Sequence, residues 1–328
     1  MSSTKEQFLS TLKQTEISDW DEIWVIRLTG FFLARFFNKF GIHPNTVTIW
    51  SMFLGAGSAY FFAHGSIYYE GLTGLIYNVI GIALLFFADI LDNTDGQLAR
   101  LSGKKSKIGR ILDGVAGFIW YIPIYVVLVW RIYTHHSMEF GWFGIQDNET
   151  ISAIYGILVF ILTLYAGFAC CGGQQRISDY YVQAHLYFMR ASNGYELDNS
   201  KEQQEAYDKL PKDASWIERQ FMKLYVDYTK KQERKTPKFQ KLLTKLKEKY
   251  GDLNAVPAEV LEELRQESLK VMKHDYSAFK QRALALALFV VVDFPLGLML
   301  FEIIILGYAT YWLVSHHEAF CEKIANKL

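Results

Sequence analysis

The residue types best suited to chemistry are concentrated between positions 92 and 113, where two long apolar runs meet. Asp92 and Asp95 are three residues apart, so on a helix their carboxylates share a face. Asp113 opens the next apolar run and can face them from a second helix. A carboxylate at the centre of a membrane helix costs about 2.5–3.5 kcal/mol, so such groups mark sites that bind or react. Oxygen ligands converging from two helices favour a hard cation such as Mg²⁺ or Ca²⁺.

Two small residues and an arginine follow the first aspartates. Gly96 and Ala99 lack bulk, so a flat or phosphorylated ligand can approach the backbone there. Arg100 offers a planar fork of donors to a phosphate. The alternative is a polar turn between two membrane helices, whose acids pair with the neighbouring cations Arg100, Lys104, Lys105 and Arg110. An exposed turn requires neither the alanine nor the glycine at those offsets, which favours a ligand site.

The spacing of these residues resembles the signature of the CDP-alcohol phosphotransferase family, also named CDP-alcohol phosphatidyltransferases. The family pattern is Asp, two residues, Asp-Gly, two residues, Ala-Arg, eight residues, Gly, three residues, Asp, three residues, Asp. The chain matches it at Asp92, Asp95, Gly96, Ala99, Arg100, Gly109 and Asp113. It departs at the last position, where Gly117 stands in place of the aspartate.

The resemblance implies a phospholipid-synthesising transferase that joins a CDP-linked donor to a second alcohol and releases CMP. It assigns Mg²⁺ (or Mn²⁺) to three carboxylates: Asp92, Asp95 and Asp113. It places the nucleotide and its pyrophosphate beside Gly96, Ala99, Arg100 and Gly109. The expected donor is CDP-diacylglycerol and the acceptor a small polar alcohol. The alternatives are a CDP-choline or CDP-ethanolamine transferase acting on diacylglycerol, and a non-catalytic CDP-lipid-binding membrane protein. A homodimer is implied by analogy alone.

Gly117 leaves the general base unassigned, because the family's last aspartate is thought to activate the acceptor hydroxyl. Asp89, one turn before Asp92, is the nearest substitute in sequence, although it can equally pair with a loop lysine. Otherwise the acceptor loses its proton without a protein base, or the protein binds its ligand without turnover. Four cations near later apolar runs are candidates for acceptor binding, with simple anchoring at the membrane as the alternative: Arg176, Arg190, Lys280 and Arg282.

Composition describes a membrane protein with a polar part. The 328-residue chain is 51% hydrophobic and 16% aromatic, yet its mean hydropathy is only +0.07. A formal net charge of +0 excludes a strongly basic nucleic-acid binder as the default, so no nucleic-acid partner is expected. The three cysteines match neither a zinc spacing nor a disulfide framework.

The apolar runs predict an all-α integral membrane protein with six spans. Four runs are close to the ~20 residues that a bilayer requires, at about 46–64, 72–93, 109–133 and 150–172. The last run, 283–314, is too long for one ordinary span, and Asp293-Phe294-Pro295-Leu296-Gly297 marks a turn inside it. We expect a hairpin of two helices, at about 277–292 and 298–315. One long kinked helix, giving five spans, is the alternative.

The remaining segments are assigned from charge and periodicity. Residues 1–45 form a tail and an amphipathic interfacial helix, 46–189 the first four spans with the metal and CDP site, 190–276 a polar helical insertion, and 277–328 the last two spans and a tail. Asn45, after Pro44, is either a helix cap or a ligand contact. Lysines and arginines are concentrated in the loop between the second and third spans, which predicts that the signature and both termini lie on the cytoplasmic side. The expected membrane is a bacterial inner membrane or an ER-type membrane.

Overall fold

The computed structural model of the chain describes residues 4–11, 22–104, 107–146, 148–189, 197–211, 214–275 and 279–328. All regular structure in those residues is helical, which confirms the all-α prediction. π-helical turns occur at Glu22–Arg27, Tyr165–Cys171 and Phe301–Leu306, and a short 3₁₀ turn at Leu253–Ala255.

The α-helices of the described part are numbered in chain order. They are α1 (Thr4–Thr11), α2 (Leu28–Lys39), α3 (Pro44–Ala63), α4 (Ile67–Glu70), α5 (Leu72–Ser102), α6 (Lys107–Thr134), α7 (Ser137–Phe143), α8 (Glu149–Leu164), α9 (Gly172–Met189), α10 (Ser200–Asp208), α11 (Trp216–Lys235), α12 (Pro237–Tyr250), α13 (Ala258–Lys273), α14 (Phe279–Val291), α15 (Leu296–Leu300) and α16 (Gly307–Lys327).

Five helical stretches among the described residues are long and apolar enough to cross a membrane. They are Pro44–Ala63, Leu72–Ser102, Ala116–Thr134, Glu149–Met189 and Leu296–Lys327. The turn predicted inside the last apolar run is present, because α14 ends at Val291 and Asp293 has a positive φ of 56°. At 13 residues α14 is about 20 Å long, short of the ~30 Å apolar layer. The predicted span at 277–292 therefore stays a prediction, and residues 277 and 278 of it lie outside the described part.

The start of α3 is set by local chemistry. Pro44 occupies the first helical position, where a missing N–H is tolerated. The ring Nδ1 of His43 accepts a hydrogen bond from the backbone N–H of Asn45 at 3.2 Å. His43 is thus the cap, and the interpretation of Asn45 as the cap is wrong.

The chain divides into two compact units, and the first holds the signature. It comprises Met1–Gly167 and Ala283–Leu300. In it α3 packs against both α5 and α6. The close approach of α3 and α6 depends on Gly55, because a β-carbon there would lie 2.2 Å from Cδ1 of the buried Trp120. Glycines of this kind let membrane helices approach closely.

A buried ion pair joins the far ends of the first unit's helices. The Arg131 guanidinium is 1% exposed and is paired with the Asp293 carboxylate. Arg131 also donates to the Asn78 side chain at 3.1 Å. Asp293 accepts from the Ser66 hydroxyl at 3.0 Å and from the Tyr68 amide at 2.7 Å. Each charge is therefore paired and hydrogen-bonded, as burial requires.

The second unit comprises Phe168–Arg282 and Phe301–Leu328. Its core joins the insertion to the ends of two long helices, since Phe188 of α9, Leu242 of α12, Leu264 of α13 and Ile324 of α16 share one apolar cluster. The Glu318 carboxylate of α16 accepts from the first two amides after Pro237, at 2.7 and 3.0 Å. A side chain from a distant helix thus caps the amino terminus of α12.

We predict that Gly55→Ala lowers the stability of the purified protein, because the new methyl group must displace the Trp120 ring. Overpacking of this kind costs about 1–3 kcal/mol. The matched control is Gly57→Ala on the same helix, where no described atom lies within 4 Å of the added carbon. That change is expected to be neutral or stabilising, since alanine is the better helix former. Thermal unfolding in detergent measures both; equal effects would contradict the packing.

Candidate functional site

The signature occupies the last turns of α5, which runs without interruption for 31 residues. Its first signature residue, Asp92, is about 30 Å along the axis from Leu72, close to the thickness of the apolar layer. The site thus lies at the polar end of a membrane helix.

The signature side chains on α5 divide by exposure. Four partly accessible residues are spaced three, four or seven positions apart, so they share one face of the helix and form an accessible stripe: Asp89, Asp92, Gly96 and Ala99. The intervening positions are buried in the bundle: Leu91, Thr94, Asp95 and Leu98. A ligand approaching α5 therefore meets two carboxylates and two small residues on the same stripe.

Asp95 is the buried carboxylate of the set, at 6% exposure, and its partner comes from α3. The Thr48 hydroxyl donates to Asp95 Oδ2. Thr48 is itself 2% exposed and lies one turn after Pro44 on α3. A donor fixed on a neighbouring helix stabilises the ionised carboxylate and sets its direction. The contact therefore joins α3 to the signature helix at the carboxylate itself.

Arg100 and Gly96 are neighbours across one helical turn. A β-carbon on Gly96 would lie 3.4 and 3.5 Å from the two terminal guanidinium nitrogens of Arg100. These are ordinary contact distances, so the packing of the described chain does not itself require glycine at position 96. Arg100 is exposed, and its donors lie beside the accessible stripe.

The other side of α5 is held by α2 and the turn before it. The Gln97 amide donates to the backbone carbonyl of Arg27 at 2.9 Å. Gly30 allows a tight approach, since a β-carbon there would lie 3.2 Å from the Thr94 hydroxyl oxygen. Phe32, Phe36 and Phe40 stay exposed, which provides the apolar face that the predicted interfacial position requires.

The remaining signature positions lie on α6. Gly109 is in its first turn and partly accessible, whereas the side chain of Asp113 lies outside the described part. Gly117 is on the same helix, and no described atom lies within 4 Å of a β-carbon placed on it. Trp120, Tyr121 and Ile124, at offsets of three, four and seven from Gly117, are buried. Position 117 is therefore on the inward stripe of α6 and has room for a side chain.

The donor set of α5 fits a hard divalent cation. Asp92 and Asp95 supply carboxylate oxygens one turn apart, and Thr48 orients the second of them. Among the side chains that the structure describes, no group of three potential metal ligands lies together. The side chain of the predicted third ligand, Asp113, lies outside the described part, so the three-carboxylate site stays a prediction.

Three of the four predicted acceptor-binding cations are described, and these three belong to the second unit. Arg282 is fully buried, 3.1 Å from Glu302, and it donates to the Gln174 side chain at 2.6 Å. Glu302 is also fully buried, as expected for an acid in that segment. The Arg176 guanidinium lies over the Tyr228 ring at 5.3 Å. Lys280 is half-buried on α14, and Arg190 lies outside the described part. Their role toward an acceptor stays a prediction.

Known proteins are similar to the part of the chain that contains α3, α5 and α6. The sequence profile of the CDP-alcohol phosphatidyltransferase family matches residues 41–169. Residues 41–169 are a CDP-alcohol phosphatidyltransferase domain. The members of this family are transferases that move a phosphatidyl group from a CDP-alcohol, and they generally depend on a divalent metal. With the five apolar helices, the domain indicates a membrane protein.

One curated relative is an uncharacterized protein of Aquifex aeolicus (strain VF5), 35% identical over 82 residues. The aligned stretch covers 25% of this chain and 36% of the relative, so the chain spans about a third of the relative's length. No solved structure matches the chain.

We predict that Thr48→Val weakens divalent-metal binding and any metal-dependent activity by about 10–100-fold, the usual effect of losing a group that orients a ligand. Thr48→Ser keeps the hydroxyl and is expected to retain most of the affinity. Ser51→Ala is a further control, because its hydroxyl donates only to the backbone of Thr48 in the same helix. Metal titration of the purified variants makes the measurement. Parent-like binding by Thr48→Val would contradict the role.

Proposed function

We propose that the chain transfers a phosphatidyl group from a CDP-linked donor, CDP-diacylglycerol, to a small polar alcohol and releases CMP. The observation that carries this proposal is the accessible stripe of α5. It brings Asp89, Asp92, Gly96 and Ala99 to one face beside Arg100, at the polar end of a membrane helix. A lipid-linked nucleotide needs such a boundary, because its acyl chains require the apolar layer and its pyrophosphate requires polar surroundings.

The signature residues on and beside the stripe have separate chemical parts in this proposal. Asp92, Asp95 and Asp113 would hold Mg²⁺ (or Mn²⁺), which would neutralise the charge of the pyrophosphate. Thr48 keeps the Asp95 carboxylate oriented. Gly96 and Ala99 leave the backbone of α5 open to the donor. Arg100 contacts a phosphate with its paired donors.

The transfer itself requires one bond to form and one to break. The acceptor hydroxyl oxygen attacks the β-phosphorus of the donor, and the bond from that phosphorus to the oxygen shared with CMP breaks. CMP leaves with the bridging oxygen, and the acceptor hydroxyl loses its proton. Phosphoryl transfer of this type depends on positioning and charge stabilisation more than on covalent groups of the protein.

The group that takes the proton of the acceptor hydroxyl is not given by the family pattern, because Gly117 has no side chain that could act as a base. Asp89 is the proposed substitute, since it is on the accessible stripe one turn before Asp92. The second candidate function is binding of a CDP-lipid without turnover, and the glycine at position 117 is the observation that favours it. The cytoplasmic placement of the site, argued from loop lysines and arginines, belongs to the same proposal.

The direct test is CMP release from CDP-diacylglycerol by the purified protein with Mg²⁺, over inositol phosphate, glycerol phosphate, serine and inositol as acceptors. We expect release with one of them. Asp92→Asn and Asp95→Asn should each lower the rate by at least about 100-fold, since both remove a metal ligand. Glu149→Gln is the control, an exposed carboxylate at the start of α8. A folded parent that binds CDP-diacylglycerol yet releases no CMP with any acceptor supports the non-catalytic function instead.

A second experiment tests the base. Gly117→Asp puts a carboxylate into open space on the inward stripe of α6, and a general base is typically worth about 10²–10⁴-fold. If the parent lacks a base, CMP release rises in Gly117→Asp and not in Gly117→Asn, which has the same shape without the charge. If Asp89 serves as base, Asp89→Asn abolishes release and Gly117→Asp partly restores it. Full activity of Asp89→Asn in the parent eliminates Asp89 from this role.

A further inference from the structure

A cavity of about 580 Å³ lies in the second unit, between the end of α9 and the polar helices that follow it. Its walls come from α9, from the segment that leads into α10, from α12 and from the turn after α12. Small-molecule sites in proteins typically enclose about 300–1,000 Å³, so this volume is sufficient for a ligand. The described residues that line the cavity all lie beyond residue 169, outside the transferase domain.

The inner wall of the cavity is apolar. Leu246, Leu253 and Val256 are buried members of the core cluster of this unit. Leu197 and Leu243 are partly buried, pack against the same cluster and also line the cavity. A ligand that enters can therefore cover apolar surface, which contributes about 25 cal/mol for each Å² removed from water.

The polar part of the lining is acidic. Three carboxylates and one ammonium give it a net charge of about −2: Asp198, Glu202, Asp252 and Lys247. None of these four side chains takes part in an ion pair with another residue of the described part of the chain. The negative charge of the cavity is therefore not compensated within the unit, and it favours a positively charged ligand.

Asp198 has partners that orient its carboxylate and leave its charge in place. One of its oxygens accepts from the Tyr225 hydroxyl at 2.5 Å, and the other accepts from the Gln203 amide at 3.1 Å. Both donors are neutral, so they stabilise the direction of the carboxylate without cancelling its charge. A cation in the cavity would supply the missing positive charge.

Hydrogen bonds between elements fix the walls of the cavity. The Gln240 amide of α12 donates to the Tyr180 hydroxyl of α9 at 2.6 Å. The Glu233 carboxylate of α11 accepts from the Ser200 amide at 2.8 Å and so holds the first residue of α10. The cavity is thus formed before a ligand binds, which lowers the entropy cost of binding.

We propose that this cavity binds a small organic ammonium compound, with its charged nitrogen near the carboxylates and its apolar part on the leucine wall. The partly buried Tyr187 also lines the cavity, and the face of an aromatic ring attracts a cation. The chain then has a second ligand site in addition to the proposed transfer site, and the residues of this second site take no part in the transfer.

The test compares three water-soluble compounds of similar shape and different charge: 2-phenylethylammonium, 2-phenylethanol and 3-phenylpropanoate. Calorimetric titration of the full chain in detergent micelles, with empty micelles as the blank, measures their dissociation constants. The ammonium compound should bind about tenfold more tightly than the alcohol, as a charge-assisted hydrogen bond predicts, and the carboxylate should bind least. Equal affinities for the ammonium compound and the alcohol, or no binding of the ammonium compound at millimolar concentration, overturn the proposal.

Charge-removing variants locate the binding. Glu202→Gln with Asp252→Asn should weaken binding of the ammonium compound about tenfold and leave binding of the alcohol unchanged. Asparagine at position 252 keeps an oxygen that accepts from the Asn254 amide, so the turn is preserved. The matched control is Glu205→Gln with Glu248→Gln, which removes two exposed carboxylates of α10 and α12 that do not line the cavity. Equal losses in the two pairs would show a general attraction of cations and would overturn the proposal.

A cavity-filling variant tests the position without changing charge. Thr244 is exposed on α12 and lines the cavity, so Thr244→Trp should block the binding of both the ammonium compound and the alcohol. Thr244→Val keeps the original shape and should bind as the parent does. Thermal unfolding confirms that each variant is folded. Parent-like binding by folded Thr244→Trp would place the compound elsewhere and overturn the proposal.

Discussion

The hydrogen bond from Thr48 to Asp95 is the interaction on which the candidate site depends. A carboxylate buried between membrane helices is stable in its charged form only if nearby donors or cations compensate for the lost water. Thr48 supplies such a donor from α3, and α3 is also the helix against which α6 packs through Gly55 and Trp120. One helix thus sets the positions of both helices that carry the signature.

The same geometry explains why the site is accessible on one side only. Gln97 and Thr94 hold the opposite side of α5 against the amino-terminal helices. That packing leaves Asp92 and Gly96 facing outward at the polar end of the helix. The orientation of α5 about its own axis therefore determines both that Asp95 is buried and that Asp92 is partly accessible.

Local patterns in the sequence were sufficient to predict the long helices and the spacing of the signature residues on α5. Apolar runs predicted six spans, of which five correspond to long helices and one to the 13-residue α14, and the turn at Asp293 followed from its neighbours in sequence. Contacts between distant residues left no such pattern. Arg131 pairs with Asp293 across 162 positions, and Glu318 caps α12 across about 80, so neither pair has a local signature. His43 was missed as the cap of α3 because asparagine is the commoner capping residue.

In the proposed function, the carboxylates of α5 hold a divalent cation at the donor's pyrophosphate. Electron paramagnetic resonance of Mn²⁺ titrated into the purified chain tests it directly. We expect bound Mn²⁺ in the parent, a changed spectrum when CDP-diacylglycerol is added, and loss of the bound signal in Asp92→Asn and Asp95→Asn. Parent-like Mn²⁺ binding in a folded Asp92→Asn/Asp95→Asn double variant would contradict it.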